Sequence, residues 1–117
     1  MRKFLQSRIN NAIVTKTDIN CPGSIAVDAD ILAEALLQEY EAVDIYNLTN
    51  GNRLQTYLIK AEPGSKEICV YGAACHQISV KDKIIIISYC FIDTSSIWTP
   101  EEPTFINLDG ITNTRIL

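Results

Sequence analysis

The sequence predicts a mainly β domain, closed or nearly closed into a small barrel. Three observations carry this expectation. Isoleucine is the commonest residue, with Val, Thr and Tyr plentiful, and such side chains suit a pleated, half-buried surface. Short apolar runs recur through 117 residues with turn signals between them, the pattern of an all-β sandwich or barrel. One of those signals, Asn50-Gly51, is the strongest short-range mark of a hairpin.

The elements follow in order. Residues 12–17 read as a strand, and residues 24–27 as another. Asp28 can cap a short helix whose Ile31, Leu32, Ala35 and Leu36 share one face. Strands over 42–48 and 53–59 flank Asn50-Gly51, and Pro63-Gly64-Ser65 makes a further turn. Residues 67–71 form a strand, and Gly72-Ala73-Ala74-Cys75 is a small-residue stretch that permits close backbone approach. Val80-Lys81-Asp82 leads into 84–92, an apolar run broken by Ser88 and suited to a buried strand. From Asp93 the character changes to Thr94-Ser95-Ser96, Pro100, Glu101-Glu102 and Pro103. The expectation is a domain over residues 1–92 and a loosely packed, solvated tail over 93–117.

Composition narrows the function. Ten basic against fourteen acidic residues give a net charge of −4, so no basic stripe for nucleic acid is expected. Apolar residues at 47% and charged residues at 21% describe a globular chain and not a disordered one. Met1-Arg2-Lys3 has no apolar segment behind it, because Gln6, Ser7, Arg8, Asn10 and Asn11 intervene. The run at 84–92 is far short of the roughly 20 residues of a spanning helix. A cytoplasmic protein with no membrane partner is expected. The four cysteines form no C-x-x-C pair, so they read as reduced, packed thiols, with no metal site. His76, the one histidine, reads as a surface or packing residue.

The hairpin places side chains. A two-residue loop at Asn50-Gly51 would pair Leu48 with Arg53, Tyr46 with Gln55 and Asp44 with Tyr57. Alternation then puts Arg53, Tyr57 and Tyr46 on one face, and Val43, Ile45, Leu54 and Leu58 on the core face. A guanidinium beside two phenols reads either as solvated surface or as a small-carboxylate site, since guanidinium matches carboxylate geometry in a bidentate way.

The ordered motifs resemble the pyruvoyl-dependent aspartate 1-decarboxylase family from Phe4 to Ile92. They are Leu5-Gln6-Ser7-Arg8-Ile9, Ala12-Ile13-Val14-Thr15, Gly23-Ser24-Ile25-Ala26-Val27-Asp28, Asn50-Gly51-Asn52-Arg53-Leu54-Gln55-Thr56-Tyr57 and Gly72-Ala73-Ala74. The resemblance implies a double-psi β-barrel with short helices, assembled as a homotetramer. It implies self-cleavage between Gly23 and Ser24, with Thr56 assisting through the Gly23 carbonyl. It also implies a pyruvoyl group derived from Ser24, which forms a Schiff base with the amine of a small amino acid. The implied reaction is L-aspartate to β-alanine and CO2, a step towards pantothenate and coenzyme A. Arg53 would bind a substrate carboxylate and Tyr57 would supply a proton. Arg8, Tyr46, Tyr71, Gly72, Ala73 and Ala74 would complete the substrate site. Whether cleavage needs a helper protein stays open, as do a different amino-acid substrate and an uncleaved barrel acting as a binding module.

The chain departs from the family pattern at named positions. Asn10 replaces a frequent histidine, Cys21 a tyrosine and Tyr46 a tryptophan. Tyr71 stands where the family carries asparagine, so a bulkier group with one hydroxyl replaces an amide. Thr56 and Tyr57 are adjacent and should point to opposite faces of a flat strand. One site uses both only through a bulge or through two subunits.

Overall fold

The computed structural model describes residues 1–93, 95 and 102–116. Its strands are β1 (Arg2–Ile13), β2 (Lys16–Asp18), β3 (Ser24–Asp28), β4 (Ala42–Asn47), β5 (Arg53–Ala61), β6 (Ile68–Tyr71), β7 (Lys83–Ile92), β8 (Thr104–Leu108) and β9 (Arg115–Ile116). One α-helix, α1 (Ala29–Glu34), and a 3-10 helix over Gly72–His76 join them. The expected mainly β class is borne out. Among the described residues no helix is long and apolar enough to cross a membrane.

Pairing order is β2-β6-β3-β5-β4-β7-β1-β8-β9. Two features turn this order into a barrel. First, β1 and β2 are one stretch of chain separated only by Val14 and Thr15, yet they pair near opposite ends of the order. The Val14 N–H donates to the Asp82 carbonyl (3.0 Å) and the Thr15 N–H to the Ile68 carbonyl (2.8 Å), so the stretch carries the sheet round on itself. Second, β5 lies between β3 and β4, parallel to the first and antiparallel to the second. That interleaving is the crossing expected of the double-psi barrel.

The register explains the core. Ile106, Ile9, Ile86, Ile45 and Leu54 stand opposite one another across β8, β1, β7, β4 and β5. The four isoleucines of this row are fully buried. Each contributes about 1.5–3 kcal/mol by leaving water. The adjoining row of Phe105, Arg8, Ile87, Asp44 and Gln55 points the other way, as the two-residue alternation requires.

Four local expectations change. The first strand starts at Arg2 and not at residue 12: Ser7 and Ile9 point inward, and the buried Ser7 hydroxyl donates to the Ala35 carbonyl (2.8 Å). An inward serine hid the alternation. Helix α1 stops at Glu34, and Leu36 takes φ +59° and lies exposed, while Leu37 enters the core. The hairpin loop has four residues, 48–51, closed by Asn47 N–H to the Asn52 carbonyl (2.8 Å) and Gly51 N–H to the Asn47 carbonyl (2.7 Å). Tyr46 therefore faces Arg53 and Asp44 faces Gln55, a shift of two residues that preserves which side chains share a face.

The loosely packed tail is the largest correction. Over 104–108, β8 pairs parallel with β1, and Ile106 and Leu108 are buried. Asn113, at φ +57° and buried, accepts from the Ile13 N–H (2.7 Å) and donates to the Ile13 and Lys66 carbonyls (2.9 Å each). Apolar alternation in Ile106-Asn107-Leu108 outweighs the turn-forming composition before it. The barrel sheet is thus not confined to residues 1–92. Thr94, Ser96, Pro100 and Glu101 lie outside the described residues, and Glu102 is exposed.

Candidate active site

The Gly23–Ser24 junction sits where β3 begins. Ser24 is buried and pairs with Tyr71 at the end of β6. Just beyond Tyr71 the chain turns through Gly72 into the 3-10 helix. The β5 strand comes alongside, and its pairing decides what it can offer. Residues 53–57 pair with β4, whereas pairing with β3 starts only at Leu58. The edge of β5 at 53–57 is therefore open on the β3 side.

A cavity of about 370 Å³ occupies that open edge. Gly23, Thr56, Tyr57, Tyr71, Ala73 and Ala74 line it, together with Leu54, Gln55 and Gln77. Because the cavity lies beside the strand and not over one face, the consecutive Thr56 and Tyr57 both reach it. The anticipated conflict between their faces is resolved within one chain. Tyr57 stays 38% exposed, so its phenol is accessible from solvent.

Gln55 and Gln77 were not singled out from the sequence. Alternation with Arg53 and Tyr57 carried the signal for Gln55. No local signal marks Gln77, whose carbonyl accepts from Asn47 Nδ2 (3.1 Å) and Asn50 Nδ2 (2.9 Å). Asn47 Nδ2 also donates to Asp82 Oδ2 (2.8 Å). The hairpin loop is thereby tied to the end of the 3-10 helix.

Two thiols, Cys69 and Cys21, lie near Tyr71. Burial, with the Cys69 thiol beside it as the second cause, pushes the Tyr71 phenol up to about 12. Tyr71 therefore stays neutral near pH 7 and acts as a hydrogen-bonding hydroxyl. The Cys21 thiol donates to Asp18 Oδ2 (3.2 Å), which raises the thiol pKa and lowers that of the carboxylate. All four cysteines are free. Among the described residues no cluster of three or more His, Cys, Asp or Glu could hold a metal. His76 is exposed at the end of the 3-10 helix.

The other candidates lie elsewhere. Arg53 stacks its guanidinium 4.3 Å from the Tyr46 ring centroid, on the outer sheet face. The Tyr46 hydroxyl meets the Tyr89 hydroxyl at 3.2 Å, and that bond, followed by burial, raises the Tyr89 pKa. Lys3 lies 4.4 Å over the Tyr89 ring. Arg8 occupies the same face, opposite Ile87, and its Nε donates to Asn10 Oδ1 (2.6 Å). Asn10 Nδ2 in turn donates to Asn107 Oδ1 on β8 (2.9 Å). The chain thus gathers Gly23, Thr56, Tyr57, Tyr71, Ala73 and Ala74 at one cavity, with Ser24 and Gly72 adjoining. It holds Arg8, Tyr46 and Arg53 on the outer face, away from that cavity's lining.

Residues 1–115 match the family described as aspartate decarboxylase. The aspartate 1-decarboxylase of Syntrophotalea carbinolica is 43% identical over 108 residues, covering 92% of this chain and 82% of that protein. That of Aliarcobacter butzleri is 36% identical over 115 residues, covering 98% and 90%. Among solved structures, the rationally designed mkDPBB_sym1 protein is similar with a TM-score of 0.47 at 13% identity, covering 73% of this chain and 96% of that one. Sequence likeness of this depth reaches past Ile92 into the strands that the composition had hidden, and it makes this chain a member of the aspartate decarboxylase family.

Proposed function

We propose that this chain cuts itself at Gly23–Ser24 and then converts L-aspartate to β-alanine and CO2 in the cleft beside β5. One observation carries the reading: the scissile Gly23 shares its cavity with Thr56 and Tyr57, two hydroxyl-bearing side chains. The relatives named aspartate 1-decarboxylase support the substrate, and favour neither another amino acid nor a non-catalytic barrel. The product β-alanine is a pantothenate precursor, which fits a cytoplasmic enzyme.

The first reaction is on the chain itself. Ser24 Oγ attacks the Gly23 carbonyl carbon, the C–N bond breaks, and the hydroxyl proton passes to the departing Ser24 nitrogen. Gly23 is then held as an ester. Loss of the Ser24 Cα proton expels Gly23 as a carboxylate and leaves dehydroalanine at position 24. Water replaces the nitrogen there, releasing ammonia and leaving a pyruvoyl terminus. Thr56 donates to the Gly23 carbonyl as negative charge builds on its oxygen.

The residues fit such a group. Position 24 is buried and anchored in the ladder to Tyr71, so a terminus there stays in place next to the cavity. The group supplies an electrophilic ketone and an electron sink for the amine-bearing carbon of the substrate. The Tyr57 phenol delivers a proton to the carbon that loses CO2. Ala73 and Ala74 keep the wall low enough for a small substrate, and Tyr71 offers it a neutral hydroxyl.

Arg53 binds a substrate carboxylate in a bidentate way, with Tyr46 fixing its plane and Arg8 adding charge. Since these three stand on the outer face, the complete site is formed in a homotetramer, where that face of a neighbouring subunit closes the cleft. Phe91 and Phe105, on the same face, are 65% and 49% exposed in the single chain, which supports burial against another copy.

Intact mass tests the reading. The wild-type chain separates into residues 1–23 and a pyruvoyl-capped 24–117, and produces β-alanine from aspartate. Ser24→Ala gives one whole, folded chain with no activity. Two normal fragments from that variant would show that the cut lies elsewhere.

A further inference from the structure

The glycine that follows Tyr71 is placed unlike the others. Gly72 has φ +73°, a region L side chains rarely adopt. A Cβ built there would lie 2.7 Å from Gly23 Cα, 2.8 Å from Gly23 N and 3.1 Å from the Cys21 carbonyl oxygen. All three are backbone atoms and cannot rotate aside. Gly51, at φ +81°, has nothing within 4 Å of its Cβ position. Gly64 would meet only Asp30 Oδ2 at 3.9 Å, and Gly110 mainly the flexible end of Lys83. Of the five glycines, Gly72 alone presses on backbone closer than 3.4 Å, and that backbone belongs to the scissile residue.

The opposite side is fixed too. Ser24 is held by its pairing with Tyr71, and the Tyr71 carbonyl lies 3.8 Å from the Cβ position of Gly23. Tyr71 and Gly72 therefore grip the two residues that flank one peptide bond. Ala73 and Ala74 line the cavity, while Gly72 does not. The resemblance groups Gly72 with Ala73 and Ala74 as substrate contacts, but the geometry separates their tasks.

We infer that Gly72 is a positioning residue for self-cleavage: its bare Cα is the seat on which the Gly23 backbone rests, setting the carbonyl against the Ser24 hydroxyl. The inference rests on the self-cleavage reading above. Any side chain at position 72 must push residues 21–23 away by about 1 Å to restore ordinary contact, and a misplacement of that size costs about a hundredfold in a reaction that depends on alignment. A second consequence follows for Pro22, which is exposed and fixes φ just before the seated residue. Freeing it loosens the seat without touching the core.

The test follows cleavage by intact mass from the moment of cell-free synthesis, with a thermal melt of each variant. Gly72→Ala is expected to melt cooperatively at reduced temperature and to cleave at least tenfold more slowly than wild type. Gly51→Ala carries the same kind of backbone strain without the contact, so its melt falls, by less than that of Gly72→Ala, while cleavage keeps the wild-type rate. Pro22→Gly is expected to fold with a melt only slightly below wild type, because its unfolded chain is freer, and to cleave several-fold more slowly, and it decides the matter if Gly72→Ala does not fold. Wild-type cleavage in folded Gly72→Ala, or in Pro22→Gly when the first variant is unfolded, overturns the inference alone. A wild-type chain that stays whole overturns the self-cleavage reading and this inference with it.

Discussion

The proposed mechanism gives the two hydroxyls beside Gly23 separable duties, and single substitutions divide them. If Tyr57 serves turnover and not the cut, Tyr57→Phe is expected to mature fully yet lose at least a hundredfold in β-alanine formation. Intact mass and product assay on one sample check both halves. General acid catalysis is worth about 10²–10⁴ in rate, so a loss below tenfold would remove Tyr57 as the proton donor. Tyr71 gives a pH effect instead. Its phenol ionises at about 12 in the fold against an ordinary value of 10. The unfolded chain releases this proton first as pH rises, so Tyr71 stabilises fully below pH 10 and its contribution is lost between about pH 10 and 12. The melting temperature of Tyr71→Phe should fall less steeply than that of wild type across that window. Parallel curves would place the Tyr71 pKa near its ordinary value.

Among the elements, α1 depends on one carboxylate. Buried Asp28 accepts from the Asp30 N–H (2.8 Å) at the helix start, from the Gly64 N–H (3.0 Å) and from the Lys66 N–H (2.8 Å). It ties the helix to the turn before β6. Asp28→Ala leaves three donors without that acceptor, at about 1–3 kcal/mol for each that stays buried. The donors belong to exposed residues, so a loss of about 1–2 kcal/mol in denaturant unfolding is expected, and no measurable loss would show that water replaces the carboxylate. Asp28 was legible in the sequence as a cap, because capping is local. Its hold on Gly64 and Lys66 was not, because that needs the turn folded beneath it. The same division runs through the site. Motifs named Gly23, Thr56 and Tyr57, but the open edge of β5 that unites them arises from where β3 stops pairing, which no window of sequence contains. Arg53 and Tyr46 fell on one face even under the wrong register, since the error was an even number of residues.

At the scale of the whole molecule, the C-terminal strands belong to the core. Ile106 closes the inner isoleucine row and is 1% exposed. Ile106→Ala is expected to cost about 2–5 kcal/mol, as for other large-to-small core changes. Chemical denaturation of the uncleaved Ser24→Ala background, at one fixed protein concentration, measures this without the separation of two fragments. A cost below 1 kcal/mol would mean that β8 contributes little to the core.

The proposed cut at position 24 has a consequence for what unfolding means. Residues 1–23 hold β1 and β2, which pair with β6, β7 and β8, all beyond the cut. Cleavage there would leave one folded body made of two interlaced chains. Before the cut, each barrel folds from a single polymer. Afterwards, complete unfolding separates each subunit into two molecules, and recovery requires them to meet again. The midpoint of the mature form then rises with protein concentration more steeply than that of the precursor. A precursor that reaches its barrel before it severs itself would avoid that encounter, because both pieces are already interlaced when the bond breaks.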